Sequence, residues 1–166
     1  MTSRLLVDKI EGKASSGTVQ MPAGHIIQTV STQHSGTAQS STSASFVALT
    51  NLSVSITPKF STSKILIMTD PSIYMSGGQQ DNNSTIAIYR DGSEVMSHSN
   101  RQYDYGGSGV LLERPFTMFY VDSPSTTNSI TYQLYATLAS TASGHLWILN
   151  DNANDTSSLI VQEIAQ

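Results

Sequence analysis

The sequence predicts an all-β chain: an antiparallel β-sandwich, jelly-roll-like, with an extended N-terminal arm. Three observations carry this expectation. Apolar and polar residues alternate at period two in a series of short runs, the signature of strands with one face buried. Gly, Pro, Asn and Asp fall between those runs, where turns need them. The composition is also that of strands and turns. Charged residues make up 12% of the 166 residues and hydrophobic residues 38%. That charged share is about half of what soluble domains usually carry. Ser and Thr fill the gap at about a quarter of the chain, and they suit strands, turns and loop tips better than long helices.

The elements follow in order. Residues 4–28 read RLLVDKIEGKASSGTVQMPAGHIIQ. This arm is apolar in patches and broken by charges and by Ser15-Ser16-Gly17. The polar stretch STQHSGTAQSSTSASF, residues 31–46, reads as a loop or extended linker. Residues 1–30 thus form the arm and first strand, and residues 31–166 the sandwich head. In the head, Leu52, Val54 and Ile56 alternate with Ser53, Ser55 and Thr57, a half-buried strand that Pro58 ends. Lys64-Ile65-Leu66-Ile67-Met68-Thr69 is denser in apolar residues, as in strands buried on both faces, and Asp70-Pro71 stops it.

Thr85 to Arg90 and Ser93 to Ser97 flank Asp91-Gly92, the pair that a type I′ hairpin demands. Arg114 to Asp122 reads as a strand entered through Pro115. Ile130, Tyr132, Leu134 and Ala136 alternate with polar or smaller partners, and His145 to Leu149 forms another short strand. Ser158 to Ile164 closes the head. Apolar on both faces, it belongs in the middle of a sheet beside an early strand.

Several chemistries are disfavoured. Net charge is −4 with no basic cluster, against phosphate-driven nucleic-acid binding. No run approaches the roughly 18 apolar residues of a membrane span, and the N-terminus lacks a secretory signal pattern; synthesis in a cytoplasm without processing is expected. With no cysteine, disulfides and thiolate sites are excluded. His25, His34, His98 and His145 show no metal-ligand spacing; His34 and His98 read as loop surface. No GxSxG elbow marks a nucleophilic serine, and no carboxylate pair stands out for glycoside hydrolysis. Neither a catalytic residue, nor a metal ligand, nor a cofactor is expected. Asn150 to Thr156 is rich in side-chain oxygens but lacks EF-hand spacing, so it reads as an Asx-rich turn. Gly77 to Asn83 reads as a flexible tip.

One loop has a binding composition. Arg101, Tyr103, Asp104 and Tyr105, followed by glycines, combine rigid amphipathic rings with an adaptable backbone. Such a loop touches a host surface, or packs its tyrosines on a neighbouring subunit.

The arm, LSVSITPKFSTSKILI, IAIYRDGSEV and the closing SSLIVQEIAQ together resemble small tailed-phage virion proteins. These are tail-fibre or virion structural proteins of aquatic-bacterium phages, and the resemblance covers nearly the whole chain. It implies a jelly-roll head, a homotrimer, a place in the virion after assembly in the host cytoplasm, and no catalysis. On this resemblance Leu5, Leu6, Val7 and Ile10 dock on another virion protein of tail or capsid, while Asp8, Lys9 and Glu11 set the register. Host polysaccharide or protein would meet the Arg101–Tyr105 loop. The two places the resemblance leaves open are a tail-fibre or receptor-binding head and a capsid decoration protein.

Overall fold

The computed structural model describes residues 21–36, 39–76, 82–102, 113–138, 146–150 and 152–166. Among them are twelve strands and no helix: β1 (Ile26–Ser35), β2 (Gln39–Ser41), β3 (Val47–Ile56), β4 (Lys64–Asp70), β5 (Ser72–Ser76), β6 (Asn82–Arg90), β7 (Ser93–Gln102), β8 (Glu113–Pro115), β9 (Met118–Asp122), β10 (Ile130–Leu138), β11 (Leu146–Leu149) and β12 (Thr156–Ile164). All pairings are antiparallel.

Two of the three ladders share one plan. Their orders are β1-β12-β4-β9 and β2-β11-β5-β8. β1 runs on into β2, β4 into β5, β8 into β9 and β11 into β12. The two ladders are therefore successive stretches of one long four-stranded sheet, bent where its strands break. Three of the four breaks have a local cause or marker. Pro71 cannot donate to the ladder. Gly36 has φ +96° and Asn150 φ +53°, and the left-handed region is open to Gly and tolerated by Asn. Asn150 N–H donates to Ser72 O at 3.0 Å, tying two breaks together. The second sheet has the order β3-β10-β6-β7. Counting each bent strand once gives eight strands, and every connection crosses between sheets except the β6–β7 hairpin. That is a jelly roll.

The core lies between the sheets. Leu52, Val54 and Ile56 of β3, Ile86 and Ile88 of β6, and Tyr132 and Leu134 of β10 meet Ile65 and Ile67 of β4, Leu159 and Val161 of β12, and Trp147 of β11. The alternation read in the sequence is the alternation of burial in β3 and β10, whereas β12, expected to be apolar on both faces, is buried at alternate residues only. The hairpin is also as expected, with Asp91 at φ +48° and Gly92 at φ +81°. β12 is central, between β1 and β4.

Four further expectations need correction. Residues 31–46 are not one loop, because β1 continues to Ser35 and Gln39–Ser41 is strand; their polar residues pair with β12 and β11. His34 is not loop surface but buried on β1, and His98 sits in strand β7, exposed, against the Phe116 ring at 5.2 Å. Arg114–Asp122 is not one unbroken strand; it divides at Phe116-Thr117 into β8 and β9. Among the described residues β4 is covered on one face only: Ile65, Ile67 and Thr69 are buried, while Leu66 and Met68 are half-buried on the outer face.

Candidate functional site

The topology sorts the connections to two ends of the sandwich. The chain reaches β1 at one end, here called the base. There Gly24 N–H donates to Ala165 O at 2.9 Å, and Ile26 pairs with Ile164. Ile164 pairs with Lys64, and Ile65 with Asp122. The Asp91-Gly92 turn closes the second sheet at the same end, with Asp91 N–H bonded to Thr131 O at 3.0 Å.

The base is held by two buried carboxylates. Glu163 is inward-facing on β12 because it shares parity with Leu159 and Val161. Its Oε1 accepts from Lys59 N–H (2.7 Å), Phe60 N–H (3.2 Å) and Ser63 Oγ (2.7 Å). Its Oε2 accepts from Gln28 Nε2 at 2.6 Å. No cation pairs with it among the described contacts; four dipoles replace its water. The 57–63 connection is thereby fixed to β12, and Gln28 also reaches Thr57 O at 2.7 Å.

Asp122, at the end of β9, bridges the two sheets. Its Oδ2 accepts from Arg90 Nη1 at 2.6 Å and from the Tyr132 hydroxyl at 2.7 Å, and its Oδ1 from Ser123 N–H at 2.7 Å. Burial, and then the hydrogen bond to Asp122, push the Tyr132 phenol well above its ordinary value. For Arg90, burial works against the charge, and the bond to Asp122 outweighs it, so its guanidinium is held more firmly protonated than usual. Both acids are committed to structural bonds.

At the bend of the long sheet a third buried polar group forms. Asn150 Nδ2 donates to His34 O at 2.8 Å, and Ser157 Oγ donates to Asn150 Oδ1 at 2.7 Å. Asn51 Nδ2 lies 3.2 Å from His34 Nδ1. The segment after Asn150 turns through Asp155, which accepts from Asn152 N–H at 2.9 Å. Asp155 Oδ2 thus closes a turn on the local backbone, as expected for this Asx-rich segment. Among the described residues no three metal-ligating side chains come together.

The opposite end is the tip. Leu138 pairs with Ser84, Asn82 with Gln102, Ser76 with Leu146 and Tyr74 with Glu113. Leu138 N–H also bonds Ser43 O at 3.0 Å. The strand ends that flank residues 77–81, 103–112 and 139–145 are therefore neighbours. Arg101 lies on β7 at this end. Tyr103, Asp104 and Tyr105 lie outside the described residues, as do Leu5, Leu6, Val7, Asp8, Lys9, Ile10 and Glu11. The acids of the base were missed in the sequence; the parity of Glu163 within SLIVQEI was the available signal.

The outer face of the long sheet is the remaining surface of note. Ile160, Met68 and Phe119 form one row across β12, β4 and β9, and Gln162, Leu66 and Val121 the next. Phe119 is 65% exposed and Val121 53%. Toward β1 the rows end in Ser31 and Thr29.

No protein-family model matches the chain, and no curated protein sequence does. Several solved structures are similar to the chain. Dimeric latent PorU from Porphyromonas gingivalis is similar at TM-score 0.51 and 10% identity, over 91% of this chain and 14% of that one. The infectious bursal disease virus Gx strain is similar at TM-score 0.44 and 16% identity, over 99% of this chain and 36% of that one. The VP2 subviral particle of that virus is similar at TM-score 0.41 and 14% identity, over 99% and 42%. The chain thus spans less than half of each of these neighbours. At 10% identity the likeness to PorU is one of fold alone.

Proposed function

We propose that this chain is a non-enzymatic virion structural protein: a homotrimeric tail-fibre or receptor-binding head, anchored by its N-terminal arm. The observation that carries this reading is the separation of the two ends. The chain emerges from residues 1–20 at the base, where Met21 to Gly24 lie beside Ala165. The strand ends bearing residues 103–112 lie at the tip. β6 and β7 span the distance between, and nine or ten residues of strand reach about 30 Å. An arm that holds and a loop that touches would then work without interfering. Three arms on one trimer would also raise the effective concentration at the anchor. The resemblance read in the sequence supports a virion setting, and the use of both buried acids in structural bonds supports a role without catalysis.

Capsid decoration is the second reading, with the arm stapling shell subunits. The apolar outer face of the long sheet favours it, because a contiguous exposed apolar patch marks a contact site.

Two variants of the full chain test the proposal in particles. Removal of residues 1–20 is expected to abolish incorporation while the head still folds. Replacement of Arg101, Tyr103 and Tyr105 by alanine is expected to leave incorporation intact and reduce adsorption to host cells. Normal incorporation without the arm contradicts the anchoring role, and unchanged adsorption contradicts the receptor role.

A further inference from the structure

We infer that the outer face of β4, β9 and β12 is a contact between two copies of this chain, stacked face to face about a two-fold axis. β4 and β12 are written as strands covered on both sides: ILIM and LIV are continuous apolar runs, which strands open to water on one face rarely carry. Yet this chain covers only their inner face among the described residues. Leu66, Met68 and Ile160 remain half-buried outside, beside the exposed Phe119 and Val121. These side chains form one contiguous block across three neighbouring strands. β9 is moreover an edge of its ladder, and an uncovered apolar edge invites association.

The charges identify the occupant. The outer row of β4 reads Lys64, Leu66, Met68, Asp70. Lys64 and Asp70 are the only charged residues on the described part of this face, and they stand at opposite ends of β4, about 20 Å apart. Each has a local tie to a hydroxyl but, among the described residues, no opposite charge: Lys64 Nζ donates to Ser123 Oγ at 2.6 Å, and Asp70 Oδ1 accepts from Thr117 Oγ1 at 3.3 Å. A two-fold axis in the plane of the interface and across the strands lays β4 antiparallel on the other copy's β4. Lys64 then meets Asp70 twice, and Leu66 meets Met68 twice. The same axis stacks β9 on β9, so the apolar side of the face meets an apolar side and the Ser31/Thr29 side meets its own kind. An axis along the strands does neither: it sets apolar strands against hydroxyl-bearing ones and puts like charges at one level. Face-to-face sheets pack in this aligned way about 10 Å apart, and a two-fold contact is self-complementary by construction.

This contact is distinct from the heterologous one that closes a trimer, so it goes beyond the trimeric head and would join one head to another. It is tested on purified full-length chain by sedimentation equilibrium, with circular dichroism to check folding. The pair Phe119→Ser and Val121→Ser is expected to halve the wild-type mass. Lys64→Asp and Asp70→Lys are each expected to weaken association by roughly tenfold, and the two together to restore it. The charge swaps decide the matter even if the serine pair does not fold. An unchanged mass overturns the inference, whether the face is bare or covered by residues 1–20. A fall to one third overturns it in favour of a three-fold contact. A double swap no better than either single overturns the antiparallel stacking. None of these outcomes bears on whether the chain is found in particles.

Discussion

Glu163 shows how one residue can fix a connection. A carboxylate buried without a cation survives only if its lone pairs are filled, and here four donors fill them. Glu163→Ala would leave two backbone amides, a hydroxyl and an amide facing a void. We expect a loss of about 3 kcal/mol in urea unfolding, and the 57–63 connection should lose its hydrogen-exchange protection first. Tyr132 offers a pH-dependent counterpart. Its folded pKa lies above the unfolded value of about 10, so the folded state holds its proton longer than the unfolded state does. Its contribution is therefore complete below that pH and declines as pH rises beyond it. Tyr132→Phe should cost roughly 1–2 kcal/mol at neutral pH, and the alkaline fall in stability above about pH 10 should become shallower. An alkaline profile identical to wild type would contradict the Asp122–Tyr132 bridge.

The elements differ in how plainly the sequence announces them. The β6–β7 hairpin was legible because its cause is local: Asp91-Gly92 supplies two positive φ angles within two residues. A Cβ at Gly92 meets nothing within 4 Å, so only the backbone resists replacement. Gly92→Ala should cost about 1–2 kcal/mol, measured by thermal unfolding, with the fold retained. β3 and β10 were legible because their period-two pattern is their burial pattern. β1 beyond Val30, and β2, were not. Ser31, Thr32, Gln33 and Gln39 carry no apolar rhythm, and what makes them strand is pairing with β12 and β11, more than a hundred residues on. His34 is buried for the same distant reason. β4 was read as covered on both faces from its apolar run, and the structure supplies one cover; the mismatch locates the outer face proposed as a contact between copies.

At the scale of the whole molecule, the jelly roll follows from the order of the strands, and it divides the surface into a base, a tip and an apolar flank. The sandwich and the central place of the last strand could be read from patterning. The clustering of connections at two ends could not, because it depends on which strands cross between sheets. The proposed anchoring residues and the tyrosine-rich loop rest on composition and resemblance; the structure adds that β1 begins at the base and that β7 ends and β8 begins at the tip. We propose that this head is a component of a virus particle. It is tested most directly by quantitative mass spectrometry of purified particles, with the chain counted against the major capsid protein. For a fibre head the expected ratio is a few per cent or less. A ratio near one to one or one to three would replace it with the decoration reading, and absence of the chain from particles would contradict the virion account outright.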